Sequence, residues 1–396
     1  MRNVTPNSWQ WNLTAEQQLN RNQTLQVGYV GNAGIHLTSW RDENPVSPAN
    51  FINEAFLSNT VDQQTLRQAQ NFGTIQDVRR TGHATYHSLQ TLYRLQTGQS
   101  STFQVAYTWS HSIADVQLNN SSGSIGNEAV SVQSDPGLDK GASEINRPNI
   151  LVANEVYYLP KLQGHSGLVQ GVLGAWEFNS IVQAASGSNT TVYATGISDA
   201  NVTGGPGSCL DSLAANNKQE CQLSSLWGTG YVNPERPLVV PGASCNVATT
   251  TPYTRNQVFN ANAFTFVGYK IGDPTHEPGL ESRGSCSNPK SFNVNAQLAK
   301  NWSIKGRYNI KFSMDAFNLF NRVNLSSISG PSVSDSGLDC GGAPCTPKNN
   351  VVTGQVGVTE NLSAGNPNVG FGQASAGNLI PGQGSRLFQY TLRFEF

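Results

Sequence analysis

Two groups of residues have the types and spacing that could bind a metal ion. His83 and His87 stand four residues apart, the spacing that places two imidazoles on one face of a helix. Their neighbours Thr85 and Tyr86 favour strands, so we expect structural or solvated histidines. A second group could form a weak calcium site, although a solvated loop is the favoured interpretation. Its members are Asp135, Asp139, Glu144 and Arg147.

No motif for catalysis or nucleotide binding accompanies these residues. GxSxG, HExxH, Walker-type and dinucleotide-binding patterns are absent from the sequence. Gly370-Phe371-Gly372 follows a loop rich in Pro and Asn and is interpreted as a turn. We therefore predict no enzymatic activity, no catalytic residues, no cofactor and no bound metal.

The cysteines indicate an oxidising compartment. The sequence has six cysteines, all after residue 208 and all in stretches rich in Gly, Pro, Ser and Asn. An even number of loop cysteines predicts disulfides, whereas zinc is disfavoured because no CxxC pair occurs. Cys340–Cys345 is the most local pair, and Cys209–Cys221 with Cys245–Cys286 is the next choice, since connectivity does not follow from sequence.

Composition narrows the class of protein. Charged residues make up only 12% of the 396 residues, where soluble domains have about 25%. Mean hydropathy is nevertheless −0.36, and no apolar run is long enough for a transmembrane helix. A net charge of −1 argues against nucleic-acid binding, and 16 Phe, 12 Tyr and 7 Trp argue against a disordered chain.

Alternation of apolar and polar residues over ten or more positions recurs along the chain and predicts unusually long strands. The last segment shows it best, since one face carries Phe388, Tyr390, Leu392, Phe394 and Phe396. The predicted strands are near 8–19, 23–37, 86–96, 102–113, 149–159, 172–184, 291–301, 305–320 and 386–396.

Strand length and connection length together predict an outer-membrane β-barrel. Strands of soluble proteins have a mode of about 5–6 residues, whereas a strand tilted across a bilayer needs about 9–11. The predicted connections alternate between short turns and long loops, which is typical of periplasmic turns and extracellular loops. The fold class is therefore all-β: a long antiparallel meander of about nine strands forming part of a transmembrane barrel. All six cysteines then lie in the loops 185–290 and 321–385.

The beginning of the chain suggests that a front part is missing. Complete bacterial barrels have an even number of strands, whereas this register gives nine and starts outside the cell. Residues 1–13 also lack the apolar region of a secretory signal. We expect residues 1–396 to be a partial barrel without signal peptide or plug.

Four passages resemble the barrel of TonB-dependent outer-membrane receptors of the Oar-like group. Residues 24–32 with Ile35-His36-Leu37 resemble the "VGYVGN…G.HL" hairpin, and residues 104–112 resemble the "YTWSHS" strand. Residues 314–324, MDAFNLFNRVN, resemble the "E.FNLFN..N" stretch near the receptor C-terminus. The aromatic strand ending at Phe396 resembles the signal that the barrel-assembly machinery recognises. The chain thus resembles the C-terminal part of such a barrel, whose full size is about 22 strands around a plugged lumen.

The resemblance implies energised uptake of a scarce ligand, such as a siderophore, cobalamin or a glycan fragment. The implied partners are outer-membrane lipid, the barrel-assembly machinery, the missing N-terminal receptor part and, through an absent plug, TonB. The loops 185–290 and 321–385 would bind the ligand. Polar residues predicted to line the lumen are Gln104, Arg307, Lys311, Asp315 and Arg393.

Two other functions stay open from the sequence. Oar-like proteins are also associated with surface adhesion or protein secretion. A secreted β-sandwich that binds a partner would alternate in the same way, although its strands would be shorter.

Overall fold

The computed structural model describes fourteen stretches of the chain, and nine long strands lie within them. They are residues 4–44, 68–70, 72, 75–98, 101–116, 136–195, 238–246, 260, 263–265, 282–304, 307–322 with 324, 332–335, 356–357 and 385–396.

Nine long strands form one antiparallel sheet in which each strand pairs with its neighbours in the chain, as an up-and-down meander. The strands are β1 (Asn7–Asn20), β2 (Gln23–Asp42), β3 (Gln76–Thr97), β4 (Ser101–Ala114), β5 (Asn149–Tyr158), β6 (Trp176–Ala185), β7 (Ser291–Ile304), β8 (Tyr308–Phe317) and β9 (Leu387–Glu395). The predicted all-β meander of about nine strands is confirmed.

Shorter elements accompany the sheet. Within the described residues, one helix, α1 (Gly167–Leu173), and one 3-10 turn, Pro136–Asp139, lie in connections between strands. Short strand pairs occur within the loops, and one of them, Gly141–Ala142, extends the edge of β4. The other short strands are Asn189–Thr190, Tyr193–Thr195, Leu238–Val239, Phe264–Thr265, Cys286–Ser287, Ser332–Asp335 and Val356–Gly357.

The register aligns one apolar stripe from each of the nine strands on the same face. Val105 of β4 lies opposite Tyr93 and Ala153, and Leu298 of β7 lies opposite Phe178 and Met314. A shift of one residue in any pair would reverse this alignment for the whole strand. The face is continued by Trp11, Leu13, Val27, Tyr29, Tyr107, Leu151, Val182, Val294, Ile310, Phe312, Leu392 and Phe394.

The opposite face carries small and polar residues, and it is here that burial is greatest within the sheet. Ser88, Ser110 and Ser112 are each less than 8% exposed, whereas Trp9 and Tyr390 of the apolar face are both 65% exposed. An exposed apolar face opposite a more buried polar face is the reverse of a soluble domain and the arrangement of an outer-membrane wall.

A β-sandwich does not fit this topology. Two packed sheets would bury an apolar layer between them, but the nine long strands all belong to one sheet with an exposed apolar face. Among the described residues, α1 is the single helix, and its seven residues are too few to span a membrane.

The two ends of the sheet differ in their connections. At one end, called here the short-turn end, two residues join β1 to β2, and three residues join β3 to β4 and β7 to β8. At the other end, called here the loop end, the connections are long and include 186–290 and 318–386.

Strands β2 and β3 extend well beyond their predicted ends. The sequence assigned residues 38–85 to a loop, but β2 continues to Asp42 and β3 begins at Gln76, so His83 lies inside β3. A register shift next to His36, whose φ is 59°, explains the difference, because it changes the phase of the alternation.

Two predicted strands begin too early. The predicted sixth strand includes residues 172–175, but Val172 and Leu173 end helix α1 and β6 starts at Trp176. The Ser166 hydroxyl caps this helix by accepting a hydrogen bond from the Val169 amide at 3.4 Å. Likewise, β8 starts at Tyr308, so Arg307 lies in the turn before it.

The face assignment predicts opposite responses to the same substitution on the two faces of β4. Val105→Arg would place a guanidinium on the apolar face, where Arg near the lipid midplane costs about 2–4 kcal/mol. Thr108→Arg, on the polar face of the same strand, is the matched control. We expect the amount of folded chain in isolated outer membranes to fall only for Val105→Arg. Equal losses in both variants would contradict the face assignment.

Candidate functional site

Most of the predicted lumen residues lie on the polar face of the sheet. Gln104 of β4 lies opposite Arg94 and Asn154, while Lys311 of β8 lies opposite Arg393. The exception is Arg307, whose guanidinium stacks 5.5 Å from the ring of Tyr308 in the β7–β8 turn. Arg307 lies in the turn before β8, so the strand register assigns it to neither face.

A row of amide and carboxyl groups crosses the polar face from β6 to β8. The Asn179 amide donates hydrogen bonds to Glu177 and Gln297, both at 2.8 Å, and the Gln297 amide donates to Asp315 at 2.6 Å. We call these four residues the polar row. Such a row offers both donors and acceptors to a polar ligand, and it holds no nucleophile beside a base.

Charges of both signs continue the polar face beside the row. Lys311 and Arg393 are cross-strand neighbours, and Arg393 also forms a 2.9 Å ion pair with Glu395. Both partners of this ion pair are largely exposed, so it adds little stability. Together with Asp315, these groups give the polar face charges that the apolar face largely lacks.

A buried ion pair joins two long loops at the loop end. Arg283 is 3% exposed and Asp139 is 1% exposed, with Nη2 and Oδ1 3.7 Å apart. Arg283 Nη1 also donates a 3.0 Å hydrogen bond to the carbonyl of Asp115. Removing one member would leave a buried charge without its partner, which is strongly destabilising.

Asparagine side chains extend this connection into a network. The Asn146 carboxamide accepts from the Ser112 amide and donates to Asn189, both at 2.8 Å. Asn189 in turn donates to the Gly284 carbonyl at 2.6 Å. Gly284 has φ +65°, and a Cβ there would lie 2.0 Å from the Ala142 carbonyl oxygen, so only glycine fits.

A disulfide crosslinks the same region. Cys245 and Cys286 are bonded, with Cα atoms 5.5 Å apart, and Cys286 pairs with Thr190 in a short strand ladder. The pair is one of the second choices from the sequence. The remaining cysteines, Cys209, Cys221, Cys340 and Cys345, lie outside the described residues.

Asparagines of the FNLFN passage connect three strands at the loop end. Asn318 and Asn321 both have φ 50°, a left-handed conformation that Asn tolerates better than most residues. The side-chain oxygen of Asn318 accepts a hydrogen bond from the Arg322 backbone amide at 2.9 Å. The Asn318 backbone amide donates to the side-chain oxygen of Asn295 in β7 at 3.0 Å. Asn321 accepts from the Arg386 amide just before β9 at 2.9 Å.

Asn324 makes a fourth contact of this kind, and we call the contacts of Asn318, Asn321 and Asn324 the asparagine junction. Asn324 is 0% exposed, and its side-chain oxygen accepts from the Phe292 amide of β7 at 2.8 Å. The asparagines of this passage therefore replace strand hydrogen bonds where β8 ends.

The histidines and acidic residues do not assemble into a metal site. His83 Nδ1 lies 3.2 Å from Asp115, and His87 Nδ1 lies 2.7 Å from the Tyr29 hydroxyl, so each histidine has its own partner. Within the described stretches, no group of three or more His, Cys, Asp or Glu residues is placed to bind a metal ion. In the acidic group, Asp139 pairs with Arg283, Arg147 Nη1 reaches the Ser186 carbonyl at 3.4 Å, and Asp135 is outside the described residues.

The terminal aromatic strand pairs with β8 along its whole length, and its residues 388, 390, 392 and 394 continue the apolar face. Phe396 follows the strand and is 98% exposed. Its recognition by the assembly machinery stays a prediction.

Sequence reasoning missed Arg283, Asn146 and Asn189, because their partners are distant in the chain. Arg283 and Asp115 are separated by 168 residues. A buried Arg in a loop leaves no periodic signal in the sequence.

The asparagine junction predicts a loss of stability for Asn318→Ala. The substitution removes the side-chain hydrogen bonds to Arg322 and leaves an alanine in the left-handed conformation. Together these two effects lower the free energy of unfolding by about 1–3 kcal/mol. Asn301→Ala, at an exposed position of β7, is the control. Urea unfolding of the two variants in isolated outer membranes measures the difference; equal midpoints would show that the junction contributes no stability.

The disulfide predicts a local effect for Cys245→Ser. A crosslink closing a loop of this size restricts the unfolded loop by roughly 3–4 kcal/mol. We expect chymotrypsin to cleave 238–290 faster in Cys245→Ser than in the neighbouring control Ser244→Ala, with the strands still resistant. Cleavage at equal rates would contradict a role for this bond in holding the loops.

Comparison with known proteins identifies the family. Residues 1–362 match the family described as outer membrane beta barrel domain. No curated protein matches the chain. Among solved structures, the outer membrane transporter YddB from Escherichia coli is similar with a TM-score of 0.39 and 9% identity, over 81% of this chain and 30% of that one. The chain therefore spans less than a third of that transporter's length. With the family match covering most of its length, this chain belongs to the outer membrane beta barrel domain family, and it is a protein of the outer membrane.

Proposed function

We propose that the chain forms part of the wall of a TonB-dependent receptor that takes up a scarce ligand, such as a ferric siderophore, cobalamin or a glycan fragment. The observation that carries this proposal is the polar row of Glu177, Asn179, Gln297 and Asp315 on the face opposite the apolar surface. The apolar face of the wall meets lipid. A polar opposite face is expected where that face meets water or a polar ligand.

The edges of the sheet support a wall that is completed by further strands. Among the described strands, β1 pairs only with β2 and β9 only with β8, and all residues of both strands are exposed. Unpaired backbone groups in hydrocarbon cost several kcal/mol each, so an open edge is not stable in a bilayer. The partner at both edges is the remaining part of the receptor barrel.

A barrel completed by further strands would be wide enough to enclose a plug, and this determines how a ligand would pass through it. Outer-membrane transporters of about 22 strands enclose a lumen that a plug fills. TonB would act on that plug, and the polar row of this chain would line the passage that opens. No step of this mechanism requires a covalent change in the ligand.

The loop end supports ligand capture outside the cell. Barrel walls expose their longer loops to the exterior, and here the network around Arg283 and Asn146 connects the loops that precede and follow the β5–β6 hairpin. Loops held in this way present a fixed surface, which reduces the entropy lost when a ligand binds.

Uptake assays in the producing bacterium test the proposal. Cells lacking the locus, and the same cells complemented, are supplied with radiolabelled ferric siderophores, cyanocobalamin and maltodextrins in turn. We expect uptake of one class to be lost on deletion, restored by complementation and abolished by a protonophore. In the complemented strain, Asp315→Asn should lower that uptake at an unchanged amount of protein in the outer membrane.

Ser303→Ala, an exposed position on the polar face of β7, is the matched control for Asp315→Asn. Unchanged uptake of all three probe classes on deletion would contradict the receptor proposal. If deletion instead reduces attachment of cells to surfaces, the adhesion alternative is favoured. Uptake that persists with the protonophore would contradict a TonB-dependent mechanism.

A further inference from the structure

Helix α1 lies on the outside of the wall, in the connection between β5 and β6. It is held by side chains of the apolar face: Trp176 of β6 and both Lys300 and Trp302 of β7. These three residues are in phase with Phe178 and Leu298, which belong to the same face. The contacts therefore place α1 against the apolar side of the sheet.

The three side chains donate to the carbonyls at the C-terminal end of α1. Trp302 Nε1 donates to Gly171 at 2.7 Å and Trp176 Nε1 donates to Val172 at 2.9 Å. Lys300 Nζ donates to the Gly174 carbonyl and, at 3.4 Å, to Gln170. The last carbonyls of a helix have no partner within it, so these donors satisfy the groups that an isolated helix leaves open.

Lys300 is the one lysine of the apolar face in the described strands, and α1 hides it. The residue is 3% exposed, and its Nζ lies 5.4 Å and 5.6 Å from the ring centroids of Trp176 and Trp302. A cation on the lipid face is costly unless it is paired or reaches the interface. Carbonyl oxygens at the negative end of a helix and two aromatic faces give it that compensation.

The other side of α1 is apolar and uncovered. Leu168 is 76% exposed, Val172 53% and Leu173 61%, and no residue of the helix is buried or charged. Leu168 and Val172 are four residues apart and so lie one turn apart on the same side. In water this side would expose large apolar groups, which favours a nonpolar surrounding.

The position of α1 in the fold shows which nonpolar surface its exposed side meets. Its connection is at the short-turn end, because Trp176 opens β6 where β7 approaches the three-residue turn to β8. Outer-membrane barrels turn this end toward the periplasm, so α1 sits beside the lipid headgroups of the inner leaflet. Its exposed apolar side continues the lipid-facing surface of the wall.

We propose that α1 is an interfacial helix whose Leu168, Val172 and Leu173 lie among the phospholipid acyl chains of the periplasmic leaflet, held to the wall by Lys300, Trp176 and Trp302. The helix shields Lys300 from hydrocarbon and fixes the depth of this part of the wall. This lipid contact is independent of the proposed uptake.

Collision measurements on a spin label test the position of α1. The label is attached to p-acetylphenylalanine introduced at Leu168, or separately at Leu173, of the full chain in isolated outer membranes, so the native cysteines stay intact. Oxygen concentrates in hydrocarbon and a nickel chelate stays in water. We expect the oxygen-to-nickel accessibility ratio at both positions to be several-fold higher than at Gln163, an exposed residue of the same connection.

Each other pattern would overturn the proposal. A ratio equal to that at Gln163 would place α1 in water. Low accessibility to both reagents would show that protein covers the helix instead of lipid.

A second substitution tests whether Lys300 holds α1 to the sheet. Lys300→Met should increase the mobility of the label at Leu168, because the bonds to Gln170 and Gly174 are lost. Lys161→Met, an exposed lysine in the same connection, is the control and should leave the mobility unchanged. Unchanged mobility in Lys300→Met would contradict a role for Lys300 in holding the helix.

Discussion

Backbone pairing is the interaction on which the rest of this structure depends, because a strand in hydrocarbon finds no water to satisfy its N–H and C=O groups. The nine-strand ladder provides those partners, and its register aligns nine apolar stripes on one face. The same register collects Asn179, Gln297 and Asp315 into a row on the other face. Lipid contact and the candidate ligand surface are thus two results of one pairing scheme.

Departures from the alternation mark places where another interaction replaces the ladder. The shift at His36 changes the phase of β2, and Asn318 with Asn321 replaces strand bonds where β8 ends. Lys300 interrupts an apolar stripe and is compensated by the carbonyls of α1. In each case, the residue that interrupts the apolar–polar alternation makes a specific contact that the strand ladder does not supply.

The sequence predicts the strands well because their signal is local. Alternation and length gave nine segments close to the observed ones, and they failed at His36, where the period changes, and at residues 172–175, where Leu168 and Val172 have helical spacing. The loop end was not predictable, because Arg283 and Asp139 meet through folding of distant segments and no period connects them. The resemblance to receptor barrels located the asparagine passage without explaining it, and the hydrogen bonds of Asn318 supply that explanation.

The two faces of this sheet meet lipid and water, respectively, and a spin-label scan of residues 309–316 along β8, in outer membranes, measures this difference in surroundings. We expect high oxygen accessibility at even positions, such as Ile310 and Met314, and high nickel accessibility at odd positions, such as Lys311 and Asp315. A profile without a period of two, or with even positions closed to both reagents as in a protein core, would contradict it.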